Sequence, residues 1–235
     1  ECLSLSYWTM ARAIFSFDTL NRYVHEPVNC LTHLFGALFS CVGMVMLLRQ
    51  SWGEPLYIFS FVIYGLSSVL LYLASSLFHG LKVGERRRRL LLRLDHAGIF
   101  AMIAGCYSPL ALITLESYSP ALGWGFFIAV WTMAVLGMVL RLKYLDAPRW
   151  LSTGVYLLLG WAGLLILEPL RYVLPAGGEV FMFLGGAFYS IGALVFLLKR
   201  PNLYPGVLEH HELWHLFVLA GSACHFLLIY FYLTP

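Results

Sequence analysis

The sequence predicts an all-α integral membrane protein: a bundle of seven transmembrane helices with its N-terminus in the cytoplasm and its C-terminus outside. Three observations carry that prediction. Hydrophobic residues fill 60% of the 235 positions and charged residues only 11%, against roughly 45–50% and about 25% in soluble domains, and mean hydropathy is +0.79. The apolar residues are gathered into seven runs of the length a helix needs to cross a bilayer, about 20 residues. Basic residues collect in alternate connections between those runs.

The runs cover residues 28–48, 56–78, 95–115, 121–141, 150–168, 179–198 and 212–233. The first contains LFGALFSCVGMVMLL, apolar on both parities, which excludes the alternating strands of a membrane barrel. The second is interrupted only by the serines Ser60, Ser67, Ser68, Ser75 and Ser76. The third opens on Asp95 and carries Pro109, which is expected to kink it. The fourth ends at Arg141. The fifth, with GVYLLLGWAGLLIL, is again apolar on both parities, and its Gly160 and Gly163, like Gly185 and Gly186 in the sixth, are expected to be surfaces where helices approach closely. The seventh begins among histidines and carries His225 at depth.

Two regions follow. Residues 1–27 are expected to form a cytoplasmic N-terminal segment, and residues 28–235 one seven-helix domain. In the first, Arg12, Asp18, Arg22 and Glu26 are scattered rather than ordered as in a cleavable signal. The stretch from Leu3 to Phe17, with Trp8, has the character of a helix lying along the bilayer surface.

Thirteen lysines and arginines fall on one side of this topology: Arg12 and Arg22, then Lys82, Arg86, Arg87, Arg88, Arg89 and Arg93, then Arg141, Lys143 and Arg149, then Lys199 and Arg200. Arg49 and Arg171 alone fall on the other, so the positive-inside rule places the N-terminus in the cytoplasm. The run Arg86 to Arg89 is foremost that topology signal, with contact to anionic inner-leaflet lipids. A net charge of +3 is too small to suggest nucleic acid. The five cysteines include no Cys-x-x-Cys pair, and four of them lie inside apolar runs as small packing groups.

Of eight histidines, seven (His25, His33, His79, His96, His210, His211, His215) lie within about two turns of a cytoplasmic span end. Glu26 and Asp95 share that layer. Ionisable groups cost roughly 2.5–3.5 kcal/mol each at the bilayer centre and less toward the interface, so such a collection must pair internally, line water or coordinate something. A shared metal ion satisfies several at once. Spacing allows it: His211 and His215 are four apart, as are Ser75 and His79, while Glu26, Asn29 and His33 fall on one helical stripe.

These residues, in order, form a set: Glu26-x-x-Asn29-x-x-Thr32-His33, Ser75-x-x-x-His79, Asp95-x-x-Gly98-Ile99, and His211-x-x-x-His215 with His225 ten residues on. The set resembles the progestin and adipoQ receptor family and its bacterial branch, the hemolysin III proteins, from about Phe17 to the C-terminus. The short chain looks closer to the bacterial branch, which implies a bacterial plasma membrane. The resemblance implies a zinc ion held by His79, His211 and His215 near the cytoplasmic face, with Asp95 holding a zinc-bound water and Ser75 supporting Asp95 or the water. Receptor members are associated with ceramidase activity.

The implied chemistry is coherent, because three imidazoles leave zinc an open position and zinc brings the pKa of a bound water to about 7. The expected function is therefore zinc-dependent hydrolysis, within the membrane, of a lipid amide or ester with a long acyl chain. Glu26, Asn29 and His33 are expected to orient the ligands or lock helices. His225, about 15 Å along the helix from His215, belongs to the substrate cavity or to packing. His25, His96 and His210 are expected at water-accessible edges.

Two rivals remain open. One is a receptor or a hemolysin-type pore in which zinc only staples helices, and a closed shell including Asp95 would favour it. The other is an intramembrane metalloprotease, since His211-Glu212-Leu213-Trp214-His215 spells H-E-x-x-H with Glu212 as base and Asp95 as third ligand.

Overall fold

The computed structural model describes residues 21–144 and 148–235. The expected surface stretch Leu3 to Phe17, with Arg12 and Asp18, lies outside them. Seven helices long and apolar enough to cross a membrane run through the described residues: α1 Pro27–Gln50, α2 Pro55–Gly80, α3 Glu85–Tyr118, α4 Pro120–Lys143, α5 Arg149–Val173, α6 Ala176–Leu198 and α7 His210–Tyr232. No strand occurs among the described residues. The expected seven-helix membrane bundle is what forms.

Local chemistry sets the boundaries. Pro27, Pro55 and Pro120 each open a helix in its first turn, where the missing N–H costs nothing and the fixed φ is already helical. Ser119 caps α4 by accepting from the Leu122 amide. Lys199, in the left-handed conformation at φ 54°, ends α6. The third helix differs most from expectation. It starts at Glu85 rather than near residue 95, so the run Arg86 to Arg89 is helical and extends the bundle at one end. Past Pro109 the chain widens into a π-helical segment, Leu110–Leu115. Proline supplies no amide to the preceding turn, and a π segment is one way to absorb that break.

Helices adjacent in sequence pack together, and α1 meets α7 to close the ring. The third helix runs through the interior, packed against α2, α4 and α5. Its approach to α2 depends on glycine: a Cβ at Gly98 would stand 2.8 Å from the Leu71 Cα, and one at Gly105 would stand 2.5 Å from the Ser67 Cβ. The fifth helix is broken near its middle, passing at Trp161 from α-helix into the 3₁₀ segment Ala162–Ile166. Tyr107 of α3 mends the break. Its hydroxyl donates to the Gly160 carbonyl and accepts from the Gly163 amide at 2.9 Å.

The expected glycine contacts hold at Gly163, Gly185 and Gly186, which face Tyr107, His225 and Trp161. They do not hold at Gly160, whose missing side chain faces open space. There the backbone carbonyl makes the contact.

Candidate metal centre

The site is built where α2 ends and α1 and α7 begin. The terminal carbonyls of α2 lack intrahelical partners. The chain entering α1 supplies them, with the Glu26 amide donating to the His79 carbonyl at 2.8 Å and the His25 amide to the Gly80 carbonyl at 3.2 Å. This backbone clasp puts the Glu26 side chain against the His79 ring, whose Nδ1 is hydrogen-bonded to Glu26 Oε2. Burial raises the Glu26 carboxyl, but the His79 hydrogen bond and charge and the Asn29 amide more than offset it, leaving its pKa at about 2. An ionised carboxylate only accepts. Nδ1 of His79 therefore carries the proton, and Nε2, buried and without a hydrogen-bond partner, keeps its lone pair.

At the start of α7, His211 and His215 project from one face toward that ring. One ligand atom from each of His79, His211 and His215 lies within 4.8 Å of the others, and the ring centroids are 4.8 to 5.0 Å apart. His79 and His215 are almost wholly buried. A buried nitrogen lone pair without a donor, beside two more imidazoles, is a donor set that fits one metal ion. Among the described residues the grouping contains no carboxylate and no thiolate.

Around the cluster stand the remaining sequence candidates. Asp95 of α3 is half-buried, within the electrostatic reach of His79 and paired with the buried Ser75 of α2. Asn29 donates to Glu26 Oε2 at 3.2 Å and to Glu212 Oε1 at 2.8 Å. His33 stacks face to face on His215, centroids 3.6 Å apart, and meets Tyr72 edge-on; both its nitrogens are buried without hydrogen-bond partners. Thr32 Oγ1 lies 3.5 Å from His215 Nδ1 and itself donates to the Val28 carbonyl. His225 is remote from the cluster, stacked on Tyr189, whose hydroxyl meets Ser222 at 3.1 Å.

All of these groups except Val28, Thr32, Tyr72 and Ser222 line one cavity of about 810 Å³. From α3 its wall is the stripe Asp95, Ile99, Met102, Ile103 and Cys106, the spacing of a single helical face. The polar cluster occupies one end, and Met182, Phe183 and Trp161 help to line the rest.

Two expectations about single residues change. His96 is not at a watery edge: it lines the cavity with its Nδ1 buried and without a hydrogen-bond partner. Of the other two, His25 contacts Glu26 and His210 contacts Asn202. Glu212 is engaged in structure. Its Oε2 accepts from the Glu209 amide at 3.0 Å while Glu209 reaches forward to the N3 amide, a reciprocal capping box at the start of α7. Sequence reasoning also missed Arg141 and Tyr156, which line the cavity and interact with each other. Neither stands in a motif, and only the tertiary fold brings them to Asp95.

The sequence model of the family described as Haemolysin-III related matches residues 21–226. The chain belongs to that family. It is similar to the Hemolysin-3 homolog of Bacillus subtilis (strain 168), 35% identical over 209 residues covering 88% of this chain and 93% of the relative. It is similar also to Hemolysin-3 of Bacillus cereus, 33% identical over 219 residues covering 92% and 95%. Monocyte to macrophage differentiation factor of Homo sapiens is 27% identical over 219 residues, covering 90% of this chain and 85% of the relative. The motif-based assignment to the progestin and adipoQ receptor and hemolysin III proteins therefore stands, and the chain is a multi-pass integral membrane protein.

Proposed function

We propose that this protein is a zinc-dependent hydrolase of lipid amides or esters, working at the cytoplasmic end of the bundle in a bacterial plasma membrane. The observation that carries the reading is the three-histidine cluster, with its open His79 Nε2, at the polar end of an otherwise apolar cavity large enough for an acyl chain. His79, His211 and His215 hold the ion. When bound, zinc supplies a Lewis acid and brings a water's pKa to about 7.

The chain's own residues do the rest. Asp95, which lines the same cavity within electrostatic reach of His79, orients water and carries a proton between it and the leaving group. Ser75, buried beside Asp95, supports that carboxylate. Glu26 fixes the His79 tautomer, and His33 packs the His215 ring in place. The cavity wall of α3 and α6 shelters the acyl chain and excludes bulk water, with His225 at its deeper part.

The three-histidine set, without a carboxylate in the grouping, leaves a coordination position for chemistry and disfavours a purely stapling metal. Glu212 lacks the freedom of a protease base, since both carboxylate oxygens accept structural hydrogen bonds.

The test is zinc stoichiometry and turnover on purified protein. About one zinc per chain and slow release of fatty acid from a long-chain N-acyl lipid are expected, both lost on chelation. Unchanged turnover after complete metal removal would overturn the hydrolytic reading.

A further inference from the structure

The two histidines of α7 and the one of α2 belong to helices that are both held by α1, which packs against each. A continuous chain of hydrogen bonds crosses that junction. It begins at the Glu209 amide, which donates to Glu212 Oε2 at 3.0 Å. Glu212 Oε1 accepts from Asn29 Nδ2 at 2.8 Å, the same nitrogen donates to Glu26 Oε2 at 3.2 Å, and that oxygen takes the Nδ1–H of His79. Asn29 is almost wholly buried, so a lost partner is not replaced by bulk water.

Glu212 adjoins His211 and is three residues from His215 in the same turn of α7. Its carboxylate therefore fixes α7 axially, through the capping box, and rotationally, through Asn29. We infer that Glu212 is a positioning residue of the metal centre, a strut acting through Asn29 and Glu26 to set the His79 ring against His211 and His215. The inference rests on the reading that these three histidines hold zinc.

Glu212→Gln separates the strut from its neighbours in role. Glutamine at the third helical position sustains a capping box, but its one oxygen cannot serve both the Glu209 amide and Asn29, and its NH₂ meets a second donor. The test compares wild type, Glu212→Gln, Asn29→Ala and the double variant as purified apoproteins in detergent. Zinc affinity is read by chelator competition and apoprotein stability by thermal melting.

Each single variant should bind zinc about 10- to 100-fold more weakly, the range for groups that orient metal ligands. The double variant should be no weaker than the weaker single one, because both break the same chain. Glu212→Gln should still melt cooperatively without metal, with a fall in apoprotein stability smaller than its loss of zinc binding, and its turnover should return when zinc is supplied well above the new Kd.

Unchanged affinity, additive losses, or a loss matched by an equal fall in apoprotein stability would each overturn the strut. Unchanged affinity with abolished turnover would instead return Glu212 to the role of a base. A wild type that binds no zinc would remove the metal reading itself, an outcome seen separately in the wild-type arm.

Discussion

At the residue scale, the candidate site divides into groups whose loss should be felt by the ion and groups whose loss should be felt only by the chemistry. His79 and His215 are buried; Glu26 holds His79 Nδ1 and Thr32 lies 3.5 Å from His215 Nδ1, while His79 Nε2 has no hydrogen-bond partner. His79→Ala or His215→Ala should leave less than about one tenth of the wild-type zinc by elemental analysis. Asp95→Asn should keep the metal and lose about 10²- to 10⁴-fold in turnover, the ordinary worth of a positioned acid or base. Metal loss in Asp95→Asn would make that residue a ligand instead. Helical spacing and membrane depth made the layer of histidines and carboxylates legible in the sequence, and the resemblance to the family singled out His79, His211, His215 and Asp95 within it. His96 was not, because its depth is the same as theirs and only packing shows that α3 turns it into the cavity. Nor was the engagement of Glu212, since H-E-x-x-H spells a base as readily as a cap and the difference lies in Asn29, 183 residues away.

At the element scale, hydropathy marked seven helices but not their breaks. Pro109 announced a disturbance in α3, and the structure renders it as a π segment. The break in α5 is silent in sequence because what makes it tolerable is a hydroxyl on another helix. Within a membrane a freed backbone group must find a protein partner, and Tyr107 satisfies both sides of the gap. Tyr107→Phe should therefore cost about 1–3 kcal/mol by leaving the Gly163 amide unpaired, read as a lower melting temperature in detergent with zinc content unaltered. Gly98→Ala should be destabilising too, by about 1–3 kcal/mol, since its Cβ would press on the Leu71 backbone and not on a side chain able to turn aside. Gly160→Ala, with nothing within 4 Å, should be nearly neutral in the same assay. Equal effects at Gly98 and Gly160 would mean that the two helices do not touch as closely as the glycines require.

At the scale of the whole molecule, what matters is which way the bundle faces, because the candidate centre sits wholly at one end. That end carries Lys82, Arg86 to Arg89, Arg93, Arg141, Lys143, Arg149, Lys199 and Arg200, while Arg49 and Arg171 stand at the other. Not all of this charge serves topology alone: Arg88 lies 3.8 Å from Glu26 and over the Phe78 ring at 4.7 Å, a tie between α3 and the α1–α2 clasp. Among the described residues Arg86, Arg87 and Arg89 make no such link to the clasp, and Arg89 pairs with Glu85 one turn earlier, an exposed pair worth little. The two functions should therefore separate. Because eight of those eleven basic residues would remain against two, replacing Arg86, Arg87 and Arg89 together with Gln should leave orientation intact. A reporter active only outside the cell should stay active when fused after Pro235, and one active only in the cytoplasm should stay silent there. Arg88→Gln alone should leave the reporters unchanged and lower stability, since it removes the charge that bridges Glu26 and Phe78. A cytoplasmic signal from the C-terminal fusion of the wild type would invert the bundle and put the histidine cluster under the outer leaflet. The lipid would then have to be drawn from that side.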